Sequence, residues 1–269
     1  MEIVESPSIR WLESAAATCA KRVDISSPFV GQSLVTFLAA LPRVVTKTLL
    51  TRTRLVDFAS GASDLSAVIA AAEAGATVLG LDRLHAKVYV FDETTALVTS
   101  ANATYSGWHR NAECGVGIRD TDASKNLSAK IRTGFGASPA PSSWTTAQLL
   151  SFVPAVERLK SRIPSRTRIR VVEGEEPTDF VLSKSDAEEL LSSAASWTQL
   201  VFHGVLQIGA VEFSTQDVVD ACSAEIATRF PSNRHPREKI RQQLQALRDL
   251  GLITFLGNGR YRLSNMLQG

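Results

Sequence analysis

Apolar and polar positions along the first half of the chain alternate between strand-like and helix-like patterns. Helix patterns cover residues 32–41 and 63–74, and they end at Pro42 and Gly75. Strands that alternate with helices predict an α/β domain with a mixed sheet. The strands are predicted from short runs rich in β-branched and apolar residues, at 22–30, 44–51, 77–81, 85–91, 95–100 and 113–118.

The last third of the chain has helix patterns followed by a hairpin pattern. Helices are predicted over residues 183–191 continuing through 197–206, over 214–230, and over 235–250, where Pro236 fits the first turn. Residues 253–256 and 260–263 flank Gly257-Asn258-Gly259, which predicts a tight turn between two strands. Helices followed by a small hairpin describe a winged helix, and an arbitrary helical cap is the alternative.

The segment between these two halves has a different composition. Residues 134–143 (GFGASPAPSS) are uncharged and rich in Gly, Pro and Ser, which is typical of a linker. A helix pattern follows over 145–160, either kinked by Pro154 or beginning near it, and 166–172 fits a strand or a basic connector. We therefore predict an α/β domain over residues 1–138, a linker and connecting helix over 139–186, and a mainly helical winged-helix domain over 187–269.

Composition excludes several classes of protein. With 44% hydrophobic and 21% charged residues, the chain has the balance of a folded protein rather than a disordered one. Its apolar runs are too short for a membrane span, and the N-terminal MEIVESPSIRWLES lacks the features of a signal peptide. The three cysteines are far apart in the sequence, at Cys19, Cys114 and Cys222, which argues against both a disulfide framework and a CxxC metal site. We therefore expect a cytoplasmic protein without a membrane partner.

The segment from His85 to Glu113 concentrates polar residues at short spacing. On a strand, His85 and Lys87 project from the same face, because they are two residues apart. An imidazole beside an ammonium loses hydration in a core but suits a phosphate pocket. Ser100 and Asn102 repeat the spacing and can present two polar groups to the same site. Taken alone, these pairs also fit a solvated strand end and a turn.

Together these residues resemble the signature of the phospholipase D superfamily. The pattern is His85-x-Lys87-x4-Asp92, then Ser100-x-Asn102, then Glu113. Thr99 stands where the family often has glycine, and the resemblance covers roughly residues 1–135. It implies a phospholipase D-like fold and hydrolysis of phosphodiesters without a metal or cofactor. We expect Asp92 to be structural, since it lies an odd number of residues from His85.

The resemblance also implies a role for each site residue. His85 would attack phosphorus and form a covalent phosphohistidine, and a second histidine would protonate the leaving oxygen. Lys87 and Asn102 would stabilise the developing negative charge, with Ser100 as a further phosphate contact. Glu113 would orient a histidine and hold its tautomer.

Only one such motif is present, although the mechanism needs two histidines. The other histidines, His109, His203 and His235, lack a lysine two residues later. The simplest solution is a homodimer through the catalytic domain, in which two copies of His85 form one composite site across a twofold axis. His109 and Arg110 could line a substrate groove or belong to a polar loop.

Basic charge is concentrated at the C-terminus. The chain carries +2 overall, but residues 231–269 hold seven basic and two acidic residues, a local charge of +5 that leaves −3 for the rest. Arginine and glutamine read base edges, and lysine anchors phosphate. A solvated helix face is the alternative. The predicted DNA-binding residues are Arg234, His235, Arg237, Lys239, Arg241, Gln242 and Gln245, with Gln243 and Arg248 on the same predicted face and Arg260 and Arg262 on the hairpin.

The C-terminal segment resembles the winged-helix domain of methyladenine-dependent restriction endonucleases. The resemblance covers roughly residues 187–265 and is most specific in REKIRQQLQALRDLGLITFLGNGRYRL. It implies binding to double-stranded DNA and makes dependence on a methylated base a hypothesis. The metal-dependent PD…ExK constellation of those enzymes has no counterpart in this sequence.

The sequence therefore favours a homodimeric restriction-type DNA endonuclease that cuts one strand at a time. Two alternatives stay open. A phospholipase or phosphatidyl transferase would need a membrane-facing surface and would leave the winged helix unexplained. A DNA-binding regulator with an inactive catalytic domain would leave the complete motif unexplained.

Overall fold

The computed structural model describes residues 1–162, 191, 196–264 and 267 of the chain. These residues divide into two compact units. The first comprises Met1–Arg52 and Gly61–Leu149, and the second comprises Thr53–Ser60 and the described residues from Leu150 onward. A segment of eight residues from the first half of the chain, Thr53–Ser60, thus belongs with the C-terminal unit.

The first unit is built on an eight-stranded mixed sheet, which confirms the predicted α/β class. Its strand order is β1-β7-β6-β5-β2-β3-β4-β8. Strands β2, β3 and β4 are parallel, and the other neighbours are antiparallel. The strands are β1 (Glu2–Glu5), β2 (Arg22–Ser26), β3 (Thr46–Thr51), β4 (Ala76–Gly80), β5 (Val88–Phe91), β6 (Thr95–Thr99), β7 (Cys114–Ile118) and β8 (Ser142–Trp144).

Helices flank the sheet and carry the expected end signals. Asp64 caps α4 by accepting hydrogen bonds from the N–H groups of Ser66 and Ala67, and Asp120 caps α5 in the same way. Gly134 ends α5 with a φ of 72°. The helices of the first unit are α1 (Ile9–Ala16), α2 (Gln32–Ala40), α4 (Leu65–Glu73) and α5 (Thr121–Thr133), and α3 (Leu55–Ser60) lies in the second unit.

The central strand β5 is buried on both faces. One face packs in an apolar cluster that includes Val88, Val90 and Ile131. On the other face, Tyr89 and Phe91 lie against aromatic side chains, with Tyr89 and Trp108 ring centroids 5.9 Å apart. Burial on both sides fixes β5 in the sheet and with it the residues immediately before it.

Five of the six predicted strands are shorter than expected, since those over 22–30 and 44–51 form only Arg22–Ser26 and Thr46–Thr51. In the other three the difference concerns the site. The strand predicted over 85–91 begins at Val88, the one over 95–100 ends at Thr99, and the one over 113–118 begins at Cys114. The polar residues that were predicted at the ends of these strands therefore lie just outside the hydrogen-bonded part of the sheet. Residues 142–144, at the end of the predicted linker, form β8 and pair with β4.

The second unit contains a winged-helix arrangement. Three helices are joined with a three-stranded antiparallel sheet of order β10-β11-β9. Pro154 lies in the first turn of α7, one of the two positions predicted for it. The predicted strand 166–172, and all of the predicted helix 183–191 except Leu191, lie outside the described residues. The elements are α7 (Val153–Arg162), α8 (Ser196–Ile208), β9 (Glu212–Ser214), α9 (Thr215–Arg229), α10 (Pro236–Asp249), β10 (Ile253–Gly257) and β11 (Arg260–Leu263), and α6 (Thr146–Ser151) spans the division at Leu149.

Candidate active site

The sheet brings the predicted catalytic residues to one edge. Val88 pairs with Val98, and Thr99 pairs with Gly115, so β5 begins where β6 ends and β7 begins. His85 and Lys87 precede β5, Ser100 and Asn102 follow β6, and Glu113 precedes β7. Residues from three consecutive strand ends therefore share one edge of the sheet.

His85 and Lys87 lie in the segment directly before β5 rather than within a strand. Lys87 Nζ is 3.5 Å from His85 Nε2 and donates a hydrogen bond to His85 O at 3.1 Å. His85 is exposed and Lys87 is buried. The backbone of this segment is held from two sides, because Ser26 Oγ donates to Ala86 O at 2.9 Å and the N–H of Thr99 donates to Lys87 O at 3.1 Å. The contact between Nζ and Nε2 shows that the two side chains lie on the same side of this segment, as the spacing predicted.

The electrostatic surroundings of His85 favour a neutral imidazole. The positive charge of Lys87 contributes most to lowering the pKa of His85, followed by burial and then by the positive charge of Arg52. A histidine with a lowered pKa keeps a nitrogen lone pair available at neutral pH. An exposed neutral imidazole beside one cation and under the electrostatic influence of a second has the properties of a nucleophile toward a phosphodiester.

Ser100 and Glu113 form a hydrogen-bonded pair at the same edge. Ser100 Oγ donates a short hydrogen bond to Glu113 Oε2 and accepts one from the N–H of Cys114 at 3.2 Å. Asn111 Nδ2 donates to Glu113 Oε1 at 3.2 Å, a contact that the sequence did not predict. Among the described residues, Glu113 thus bonds to Ser100 and Asn111 rather than to His85 of its own chain.

Asn102 is buried, and its backbone is fixed from both sides. Tyr89 OH donates to Ala101 O at 2.9 Å and accepts from Trp108 Nε1 at 3.1 Å. On the other side, the N–H of Ala103 donates to Ser27 Oγ at 2.8 Å. A π-helix, Ser106–Arg110, packs directly on the Asn102 backbone, and such helices are frequent at functional sites.

Asp92 occupies the structural position expected for it. It accepts hydrogen bonds from the N–H groups of Ala20, Lys21 and Arg22 at 2.8, 2.8 and 2.9 Å. Burial alone would raise the pKa of Asp92, but these backbone donors outweigh it and lower the pKa. Asp92 therefore ties the turn after β5 to the start of β2.

The described residues contain no group of three or more His, Cys, Asp or Glu side chains arranged to hold a metal ion. No helix within the described part of the chain is long and apolar enough to cross a membrane.

In the second unit, α10 exposes its N-terminal half and buries its C-terminal end. Gln243 and Arg248, predicted on the exposed face, are buried. Gln243 Oε1 accepts a hydrogen bond from Thr198 Oγ1 at 2.6 Å, and Arg248 pairs with Asp249 at 2.5 Å. That part of the prediction is wrong. Of the other predicted DNA contacts, Arg234, His235, Arg237, Arg241 and Gln242 are exposed, and Lys239 and Gln245 are half-buried.

The hairpin places Arg260 and Arg262 on its exposed side, with Tyr261 buried between them. Both arginines pair with Glu212 of β9, at 3.2 Å from Arg260 and 2.5 Å from Arg262. The hydrogen bond from Arg262 lowers the pKa of Glu212. One carboxylate thus partly neutralises the two arginines of the wing.

Two family models match separate parts of the chain. Residues 14–133 match a family model described as "Cardiolipin synthase, PLD-like domain". These residues form a phospholipase D-like domain. Residues 193–263 match a second family model, described as a Dam-replacing HTH domain. Both resemblances inferred from the sequence are therefore confirmed, and the chain joins a phospholipase D-like domain to a helix-turn-helix domain.

Several solved structures are similar to this chain at low sequence identity. Nuc, a phospholipase D family member from Salmonella typhimurium, is 17% identical, with 54% of this chain and 97% of that chain covered and a TM-score of 0.46. NucT from Helicobacter pylori is 14% identical, with 49% and 94% covered and a TM-score of 0.38. A phosphatidylserine synthase from Haemophilus influenzae is 15% identical, with 62% and 43% covered and a TM-score of 0.45.

Proposed function

We propose that the protein is a restriction-type DNA endonuclease that hydrolyses phosphodiesters through a phosphohistidine, without a metal ion. The observation that carries the proposal is the presence, in one chain, of a phospholipase D-like site and a winged helix with an exposed basic helix face. A phosphodiesterase site alone leaves the substrate open. The basic face of α10 favours duplex DNA over a lipid, because it suits phosphate and base-edge contacts.

In the proposed reaction, His85 Nε2 attacks phosphorus, an N–P bond forms, and the P–O bond to the leaving strand breaks. His85 of the partner subunit gives its proton to the leaving oxygen. Water then attacks the phosphohistidine, the N–P bond breaks, and the partner's His85 takes the proton from that water. Lys87 and Asn102 stabilise the negative oxygens in both steps.

The partner subunit enters the proposal because the described residues supply one His85 site per chain. Glu113 is bonded to Ser100 and Asn111 of its own chain, so we assign its orienting role to the imidazole of the partner subunit. A dimer with one composite site would cut one strand at a time.

Cleavage of plasmid DNA in EDTA tests the function directly. Unmethylated, adenine-methylated and cytosine-methylated plasmids are compared, with His85→Ala as the inactive control. We expect discrete fragments from the adenine-methylated plasmid, preceded by a nicked form and lost in the variant. Equal cutting of all three plasmids would retain the nuclease and remove the methylated-base requirement. Cleavage that appears only after magnesium is added would contradict the chemistry assigned to His85.

Arg237 and Arg241 on α10 are expected to contact DNA phosphates or base edges. Replacing either with alanine should weaken duplex binding about tenfold. The slope of log affinity against log salt concentration should fall by roughly one, because one counterion fewer is released on binding. Fluorescence anisotropy with a labelled duplex at several salt concentrations measures both quantities. Arg119→Ala removes an exposed arginine of the first unit that pairs with Glu2, and it serves as the charge-matched control. Equal losses in all three variants would mean that only net charge matters.

A further inference from the structure

The chain passes from the first unit to the second and back within the phospholipase D-like domain. Arg52, the residue after β3, is the last of its segment in the first unit, and Thr53–Ser60 belongs to the second. All six residues of α3, Leu55–Ser60, are buried. This excursion is therefore a packed part of the second unit rather than a solvent-exposed loop.

The start of the excursion contacts the C-terminal end of α10. Thr53 Oγ1 donates a hydrogen bond to Asp249 O at 3.4 Å, and the N–H of Leu55 donates to Leu250 O at 3.2 Å. Carbonyl groups at a helix end have no partner within the helix, so residues 53–55 satisfy two of them. Gly251 has a φ of 76°, and a Cβ there would lie 2.8 Å from Arg54 Nε. The segment thus fits closely around the end of the helix whose other half carries Arg237 and Arg241.

Arg52 lies at the sheet edge that carries His85. Ser26 of β2 pairs with Leu50 on one side and with Val88 on the other. Arg52 follows Leu50 by two residues, and Lys87 directly precedes Val88, so both extend beyond the same end of the sheet. The Arg52 side chain is buried, and its guanidinium carbon is 5.3 Å from the centroid of the Phe29 ring. Burial and stacking on an aromatic ring restrict the position of this guanidinium, whereas an arginine on the surface moves freely.

We propose that Arg52 is a second cationic group for the reacting phosphate, besides Lys87, and that the contacts of Thr53 and Leu55 with the end of α10 hold it there. The inference deepens the proposed function and rests on it. A guanidinium can bridge two phosphate oxygens with parallel N–H donors, which Lys87 cannot do. Arg52 is thus a catalytic residue in the first unit, and Thr53 is a positioning residue in the second. The two are joined by one peptide bond.

Replacing Arg52 tests the catalytic part of the inference. Arg52→Gln should slow DNA cleavage on the order of 10²-fold, because one charged donor to the developing negative oxygen is lost. Among the described residues, the charges that lower the pKa of His85 are those of Lys87, from its own segment, and of Arg52, the residue after β3. Loss of the Arg52 charge raises the pKa of His85, so the acidic limb of the pH–rate profile should move to higher pH. A cleavage rate and an acidic limb equal to those of the unsubstituted protein would overturn the assignment.

Arg52→Lys keeps the charge and loses the paired donors. We expect an unchanged acidic limb with a slower reaction, and this variant decides the question if Arg52→Gln does not fold by circular dichroism. Wild-type cleavage by Arg52→Lys would overturn the bidentate role.

Thr53→Val tests the positioning part. It removes the hydroxyl that donates to Asp249 O and keeps the side-chain shape. We expect unchanged duplex affinity, DNA cleavage several-fold slower, and an acidic limb shifted in the same direction as in Arg52→Gln. Thr228→Val is the matched control, since Thr228 Oγ1 also donates to a backbone carbonyl, that of Ala224 within α9. Normal cleavage with an unchanged limb in Thr53→Val would overturn the positioning role.

A small phosphodiester, bis(p-nitrophenyl) phosphate, separates this inference from the proposed function. If the unsubstituted protein hydrolyses neither this diester nor plasmid DNA in EDTA, the proposed function fails, and the inference fails with it. If the unsubstituted protein is active and Arg52→Gln matches it, the inference alone is overturned. If Arg52→Gln cleaves more slowly and the acidic limb of its pH–rate profile lies at higher pH, both the proposed function and the role of Arg52 are supported.

Discussion

Replacing His85 with alanine is expected to abolish DNA cleavage, with a loss on the order of 10⁴-fold or more. The reason is that His85 would form the covalent bond to phosphorus, which no neighbouring group can replace. The side chain is exposed and its imidazole faces Lys87, so the substitution should leave the fold intact. Single-turnover nicking of plasmid DNA in EDTA gives the rate, and thermal unfolding confirms that the protein is folded.

The same variant measures whether the site is shared between subunits. When wild-type and His85→Ala chains are refolded together in equal amounts, about one quarter of the dimers contain two intact histidines. A composite site that needs both should retain about one quarter of the wild-type activity. Independent sites should retain about one half, and that result would contradict the proposed dimer.

The sequence predicted the polar core of the site because its residues are close together and regularly spaced. His85 and Lys87 share a side in any extended conformation, so their relation holds although β5 begins only at Val88. The end of a strand is a different matter. It depends on where the partner strand stops pairing. The pairing of β6 with β7 ends at Thr99 and Gly115, which belong to different segments of the chain, so neither segment alone predicts this end.

The position of Arg52, the proposed additional cation of the site, could not be predicted from the sequence for the same physical reason. It lies 33 residues before His85, and only the register of β2 with β3 and β5 brings both to one edge. The sequence around Arg52 has no spacing that distinguishes it from other arginines. The burial of Gln243 and Arg248 on α10, in contrast, could have been predicted from the sequence. Ile240, Leu244, Leu247 and Leu250 form an apolar stripe at helical spacing, and Gln243 and Arg248 lie directly beside Leu244 and Leu247. Helical periodicity therefore places both at the stripe rather than on the opposite face.

Gly107→Ala is expected to reduce DNA cleavage roughly 10²- to 10³-fold, the effect of losing one well-placed donor to a developing oxyanion. A Cβ at residue 107 would lie 2.5 Å from Asn102 O and 2.9 Å from Asn102 N. These are backbone atoms, so the Asn102 peptide must move. The neighbouring residues resist that movement, because Ala101 O is bonded to Tyr89 and the N–H of Ala103 is bonded to Ser27. We expect the displaced Asn102 amide no longer to reach the phosphate that the proposed reaction places there.

Stability should fall as well, by about 1–3 kcal/mol, as is usual for a side chain forced into a packed interior. Gly31→Ala is the matched control. A Cβ at residue 31 would meet its nearest neighbour, Thr104 Cα, at 3.6 Å, which is ordinary contact. Cleavage rates in EDTA and urea unfolding of the two variants give the comparison. If Gly107→Ala cleaves DNA as fast as Gly31→Ala, the contact between the π-helix and Asn102 does not position the amide. If it loses cleavage while keeping most of its stability, the backbone of Asn102 is held for catalysis rather than for folding.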